Sequence, residues 1–309
     1  RRASARGVGP QPRSRGTQVV RAARMTRVVR EPAAFRQACD DARWDGHTVG
    51  LVPTMGALHD GHFSLIDAAT ARADFLAVTL FVNPLQFAEG EDLDRYPRTF
   101  DEDLAGCRDR GVDLLFAPDP AAMYPDGFQT RVRVGQMTRP LEGEFRPGHF
   151  EGVTTVVTKL FNLTGPSIAV FGRKDYQQWK ILSRLARDLD IPVDVVGCPI
   201  VREADGLALS SRNRYLDAAE RARALGIVTG LRAAFDAWER GERDSEVIRD
   251  LAAAPVEDRF DQVDYVAVTD PETLGPTSSE ARRLLVAVAA HLGMTRLIDN
   301  VVLGEDARP

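Results

Sequence analysis

No stretch of the 309 residues approaches the roughly 20 consecutive apolar side chains that a membrane-spanning helix requires, so the chain reads as a water-soluble globular protein. Positive charge is not in surplus either: 40 Lys and Arg stand against 45 Asp and Glu, a formal net charge of -5. General binding to nucleic acid or to an anionic bilayer rests on a broad positive surface, so neither is expected, and a small anionic ligand would need a local cluster of donors. Cysteine is sparse. Cys39, Cys107 and Cys198 lie far apart, with no C-x-x-C and no Cys/His ligand rhythm. A disulfide framework or zinc site is therefore not expected, and buried reduced thiols in a cytoplasmic protein are. The P-loop pattern G-x-x-x-x-G-K-S/T is also missing.

What is present divides the chain. Residues 1–24 hold seven arginines and no acidic residue among Gly, Pro and Ser, too little hydrophobicity to fold against anything, so disorder is expected there. An organellar transit peptide is one reading; sequence lying ahead of a start at Met25 is the better one. From His47 short apolar, β-branched runs alternate with longer amphipathic ones, the rhythm of βα units and a parallel sheet. Strands are expected at 48–52, 75–82, 112–116 and 167–171, each nearly continuously apolar as a strand covered on both faces should be. A helix is expected from about His62, another over 153–162. Beyond residue 200 the Ala, Arg and Glu-rich stretch 218–254 predicts two helices broken near Gly241, followed by short strands at 265–268, 284–289 and 296–301. The fold class expected is α/β: a Rossmann-like parallel-sheet, nucleotide-binding domain over 25–200, a smaller α+β C-terminal lid domain over 201–304, and a tail over 305–309.

The strongest local signal follows the first central strand: Pro53-Thr54-Met55-Gly56-Ala57-Leu58-His59-Asp60-Gly61-His62. Two of only five histidines stand three apart where a helix is about to start. Imidazole N–H groups, together with free backbone N–H groups and the positive helix end, would hold a triphosphate and stabilise the charge of departing pyrophosphate. Further along, Asn83 and Gln86 are expected at the C-terminal edge of the sheet, where amides suit hydroxyl and carboxylate groups. Lys174, just after the 167–171 strand and beside Asp175 and Gln178, could neutralise charge on an α-phosphate. Ser210-Ser211-Arg212 offers hydroxyls and a guanidinium for β and γ phosphates. The acidic run Glu89 to Asp94 reads as a solvated face.

At His59-Asp60-Gly61-His62 the chain resembles the nucleotidyltransferase superfamily, whose H-x-G-H type signature binds ATP phosphates. The fuller string narrows the resemblance to the pantothenate synthetase family, and further segments agree in order: 81–87, 96–99, 171–178 and 201–213. The resemblance covers essentially 25–304. It implies ATP-dependent condensation of pantoate with β-alanine, in pantothenate biosynthesis, through a pantoyl adenylate, with release of AMP and pyrophosphate. It assigns Met55, Gly56, Ala57, Leu58, His59, Asp60, Gly61 and His62, then Gly172, Arg173, Lys174 and Asp175, then Val201, Leu209, Ser210, Ser211 and Arg212 to ATP. Val201 would pack near adenine. Pantoate falls to Gln86 and Gln178, with Gln86 also on the β-alanine side; His62, His59 and Lys174 would assist the chemistry directly. It further implies Mg2+ carried largely on ATP oxygens, with Glu102 and Asp103 as candidate ligands, and a homodimer. Arg146-Pro147-Gly148-His149-Phe150 is family-like too, either substrate-proximal or part of a dimer contact. Related enzymes commonly carry Glu at the position of Arg173 and often Met at that of Leu209, which puts details of the two ATP loops in question. Another nucleotidyltransferase, or a nucleotide-binding module without turnover, are the competing readings. Asp205-Gly206 is expected as a pivot for the lid.

Overall fold

Apolar runs of three to six residues become strands and the amphipathic stretches between them become covering helices. The computed structural model describes residues 25–278 and 280–309; the opening segment, where disorder is expected, lies outside the described residues. In chain order β1 (Arg27–Val29), α1 (Pro32–Trp44), β2 (Val49–Thr54), α2 (Asp60–Thr70), β3 (Phe75–Leu80), α3 (Phe100–Asp109), β4 (Leu114–Phe116), the single turns α4 (Pro120–Met123) and α5 (Glu142–Phe145), α6 (His149–Thr164), β5 (Ser167–Gly172), α7 (Tyr176–Asp188) and β6 (Val193–Cys198) form the first unit. Its strands lie in the order β1-β4-β3-β2-β5-β6, every neighbouring pair parallel.

Alternate residues of each strand feed two cores. Leu51, Ala77, Phe116 and Ala169 pack with Phe35 of α1 and with Val153, Leu160 and Phe161 of α6. Val52, Val78, Leu115 and Val170 pack with Leu65 and Ile66 of α2 and Cys107 of α3. From β2 the chain proceeds to β3 and β4 on one side, and β5 and β6 lie on the other. The sheet therefore changes direction between β2 and β5, and in such folds the crevice beyond the C-terminal strand ends at this point is where ligands sit. That one topological fact brings the turn after β2 opposite the turn after β5.

The second unit consists of α8 (Ala218–Glu239), α9 (Ser245–Arg259) and an antiparallel sheet in the order β7 (Gln262–Thr269), β8 (Leu284–Leu292), β9 (Thr295–Leu303). Asp217 caps α8, accepting from the amides of Ala219 and Glu220 while Glu220 returns the bond. The helix break falls where expected, at Gly241, whose φ of +99° suits a residue without a side chain. β8 is buried on both faces, which explains its unbroken apolar reading. Leu284, Val286 and Val288 meet Leu231 and Trp238 of α8 and Ile248 of α9, whereas Leu285 and Ala287 meet Tyr176 and Trp179 of α7.

The expected elements are all found, with ends shifted by a few residues, while β1, β6, α1, α3 and α7 were not anticipated. β1 is three residues long, and β6 is an edge strand carrying Asp194 and Gly197, so neither shows the continuous apolar run of a central strand. Cys39, Cys107 and Cys198 are free and buried; burial pushes the first two thiols up to about 12 and the third up as well, which keeps them protonated and inert. Among the described residues no helix is long and apolar enough to cross a membrane.

Candidate active site

β2 ends in a sharp reversal. Gly56 and Ala57 both have positive φ, +88° and +52°, and the second is costly for a residue with a Cβ. The strain is held by Asp103 of α3, whose carboxylate accepts from Ala57 N at 2.9 Å and Leu58 N at 2.8 Å, and from Thr99 Oγ1 at 3.2 Å. Successive amides in such a turn make a concave anion site. Here the anion is the protein's own Asp103. The amides of Ala57 and Leu58 are thus taken by Asp103, itself 3% exposed, which corrects their expected availability to phosphate. Glu102 is exposed, and the described residues contain no group of three His, Cys, Asp or Glu arranged to hold a metal ion.

His59 is the N-cap of α2, with Nδ1 accepting from Gly61 N at 3.1 Å. That bond fixes the tautomer, leaving the proton on Nε2. His62, one turn on, stacks obliquely on it with ring centroids 4.1 Å apart. Burial, and then the positive charges of Lys174 and Arg214, push His59 down to about 4; burial, then His59 and Lys174, push His62 down to about 3. Both rings are thus neutral donors near pH 7. Among the described residues His62 Nδ1 is buried without a hydrogen-bond partner. A buried polar atom left unmatched in this way costs free energy, and a ligand atom would restore it.

Across the crevice, β5 ends at Gly172 and a single 3-10 turn, Arg173–Asp175, leads into α7. Lys174 and Asp175 of this turn border the same cavity as the two histidines. Arg173 does not. Its guanidinium forms ion pairs with Glu305 at 3.0 Å and Asp306 at 2.9 Å, so its expected place at ATP is corrected, and the tail is docked by it. Arg308 adds a fork to Asp236 of α8.

The third wall is the segment after β6. Val201 to Leu209 fold back on themselves, with an Arg202–Ala208 bridge and Leu209 N donating to Val201 O at 3.0 Å. Gly206 is the hairpin's tip at φ +100°, where a Cβ would run into Arg232 of α8, so a glycine closes the turn. Ser210 Oγ accepts from Arg212 N at 3.2 Å, which shapes the following 3-10 turn. Arg212 sends Nε and Nη2 to the two oxygens of Asp92, each at 2.9 Å. Burial alone would raise the Asp92 carboxyl, but Arg212 outweighs it and holds it below the usual carboxylate range. Glu91 binds Arg146 Nε and Nη2 in the same way at 2.7 Å each. Glu91 and Asp92 of the acidic run therefore form a clamp, while Glu89 and Asp94 stay exposed; Asp92 was missed because charge runs carry no signature of their partners.

A cavity of about 230 Å³ unites these walls, bounded by Met55, His59, Gly61, His62, Gly172, Lys174, Asp175, Val201, Leu209, Ser210, Ser211 and Arg212. Gln86 and Gln178 border it as well. Gly56, Ala57, Leu58 and Asp60 do not; they build the turn behind it. Asn83 borders it too, though buried and tied down, donating to Gly152 O at 3.1 Å and to Gln86 Oε1 at 3.1 Å, and accepting from Tyr124 Oη at 2.8 Å. Arg146 and His149 reach the cavity, placing their string beside the ligand site. Val153, Val156, Val157 and Leu160 of α6 supply an apolar wall at one end.

The arrangement is a phosphate-sized cluster of donors joined to a half-apolar, half-amide pocket. Comparison with known proteins agrees with it. The chain is 51% identical to the pantothenate synthetase of Geotalea uraniireducens (strain Rf4) over 267 residues, 86% of this chain and 95% of that protein. A pantothenate synthetase 1 of Bradyrhizobium diazoefficiens is 48% identical, covering 90% of this chain and 98% of that one. The crystal structure of pantothenate synthetase from Thermus thermophilus matches with a TM-score of 0.84 at 44% identity, covering 89% and 99% of the two chains. That of the Francisella tularensis pantoate-β-alanine ligase, complexed with β-γ ATP and β-alanine, matches with a TM-score of 0.74 at 31% identity over 92% and 100%. The model of the family described as pantoate-β-alanine ligase matches residues 27–302, and the chain belongs to that family.

Proposed function

We propose that the chain condenses pantoate with β-alanine at the expense of ATP, through a pantoyl adenylate. The observation that carries this is the single cavity bordered at once by His59, His62, Lys174 and Ser210-Ser211-Arg212. The pantoate carboxylate attacks the α-phosphorus in line and pyrophosphate leaves; the β-alanine amine then attacks the acyl carbon and AMP leaves. No protein nucleophile is needed. The chain's contribution is to place the reactants, worth up to about 7 to 11 kcal/mol, and to aim donors at developing charge.

His62 and His59 donate to the departing pyrophosphate as neutral imidazoles. Lys174 neutralises the α-phosphate, while Arg212, Ser210 and Ser211 take the outer phosphates and Val201 and Leu209 flank the adenine. Gln86 and Gln178 hold pantoate, with its branched carbon against Val153, Val157 and Leu160; Gln86 also faces the incoming β-alanine. The Gln86 amide is oriented beforehand, its Oε1 held by Asn83. Mg2+ would be carried largely on ATP oxygens, as the family resemblance implies, and would screen the triphosphate charge. Residues 25–200 form the nucleotide-binding unit and 201–304 the smaller unit over it. A homodimer follows from the family resemblance, as does a cytoplasmic setting, with which buried reduced thiols accord.

The test is AMP formation with each substrate omitted in turn. AMP that appears only with ATP, pantoate and β-alanine together supports the reading. A dinucleotide product retaining AMP, or ATP binding with no AMP formed, overturns it in favour of a cofactor-forming transferase or a non-catalytic module.

A further inference from the structure

Two adjacent residues of β9 hold, from the other unit, two segments that flank the cavity. Successive strand residues point to opposite sides, so Asp299 and Asn300 meet different partners. Asn300 is 4% exposed, and its Nδ2 donates to both Arg173 O, at 3.0 Å, and Lys174 O, at 2.9 Å. Only the amide nitrogen can donate to carbonyls, so the side chain's orientation is determined. Asp299, also 4% exposed, accepts from Arg202 Nη1 at 2.6 Å and Nη2 at 3.0 Å, directly after Val201. Its Oδ1 also accepts from Asn300 N at 2.8 Å, which ties the two bonds together.

We propose that Asn300 is a positioning residue for Lys174, with Asp299 holding the opposite adenine-side hairpin through Arg202. The turn 173–175 is one 3-10 turn between a strand and a helix, and the Asn300 amide ties two of its successive carbonyls to β9. That pair of bonds sets the direction in which Lys174 leaves the turn. Catalysis at Lys174 therefore depends on a contact made by the antiparallel sheet. This rests on the adenylation reading above.

The experiment uses Asn300→Asp, which keeps the shape and replaces the donor by an acceptor, alone and combined with Lys174→Ala in the full chain. Pantoate-dependent ATP–pyrophosphate exchange should lose about 10- to 100-fold in kcat, the cost of small misplacement, with KM for pantoate within about twofold. In the Lys174→Ala background the same substitution should cost nothing further. Amide hydrogen exchange over residues 173–177 should quicken while that over 60–70 holds. Wild-type kcat in Asn300→Asp, or a loss that multiplies with that of Lys174→Ala, overturns the proposal. If Asn300→Asp does not fold, Asn300→Ser is read by the same criteria. If the wild-type chain shows no pantoate-dependent exchange, the function fails, and hydrogen exchange alone then decides whether Asn300 orders the turn: unchanged protection at 173–177 overturns it.

Discussion

Arg212 grips Asp92 through two parallel N–H bonds of 2.9 Å, joining the segment after β3 to the segment after β6 across the mouth of the cavity. Its third nitrogen, Nη1, takes no part in that fork, and the residue borders the cavity. A planar fork can hold both carboxylate oxygens in parallel and still offer a donor to phosphate; an ammonium has donors for both but cannot form the parallel pair that fixes its aim. Arg212→Lys should therefore raise KM for ATP by about tenfold, with a smaller change in KM for pantoate. Steady-state kinetics with each substrate varied checks this, and equal increases in both would point to general disorder of the site.

His62→Ala should cut pantoate-dependent ATP–pyrophosphate exchange by about 100- to 1000-fold, the usual effect of removing one donor to developing charge. Its Nδ1 has no partner among the described residues, so the substitution strands no protein group and the melting temperature should hardly move. Near-normal exchange would remove His62 from the chemistry.

The low histidine values fix the sign of a pH effect. In the folded chain His59 and His149 take up a proton only near about 4, and His62 near about 3, against an ordinary 6.5. Between those limits the unfolded chain binds more protons, so these rings make stability fall as pH drops below 6.5 and add no slope well above it. Urea midpoints measured from about pH 8 to about pH 4.5 should show the decline, and His62→Gln should shallow it. An unchanged midpoint over that range would show that the rings are not desolvated.

Asp103→Asn keeps the shape of the side chain but turns one oxygen that faces an amide into a donor. A loss of about 1 to 3 kcal/mol in unfolding free energy is expected, with activity falling as the His59 turn loosens. The Mg2+ concentration giving half-maximal rate should be the same in Glu102→Gln as in the wild-type chain. A shifted Mg2+ requirement in Glu102→Gln would return that carboxylate to the metal.

The site's parts were readable in the sequence because each carried local chemistry: a paired-imidazole turn, a lysine at a strand end, a Ser-Ser-Arg turn. The central strands were readable because their apolar runs are long enough to survive in the pattern. What stayed hidden depends on partners distant in sequence. Glu91 and Asp92 read as solvent-facing until Arg146 and Arg212 are placed opposite them. Asp103 stood as a candidate Mg2+ ligand by family resemblance alone, and its bonds to Ala57 N and Leu58 N span 46 and 45 residues of sequence. Asn300 sits 126 residues from Lys174, and no spacing rule connects them. Arg173 drew attention as an unusual residue in an ATP loop, yet its partners are in the tail.

The packing of β8 constrains how substrates get in. Leu285, Ala287 and Val302 lie against Tyr176, on the helix that begins just after Lys174. Swinging the C-terminal sheet away as a rigid flap would wet that seam at about 25 cal/mol for every Å² of apolar surface. Parting the guanidinium–carboxylate clasps Arg146–Glu91 and Arg212–Asp92 breaks local charge pairs and leaves that apolar seam dry. Local unlatching at residues 89–96 and 210–215 would therefore open the cavity while leaving standing the seam behind Lys174.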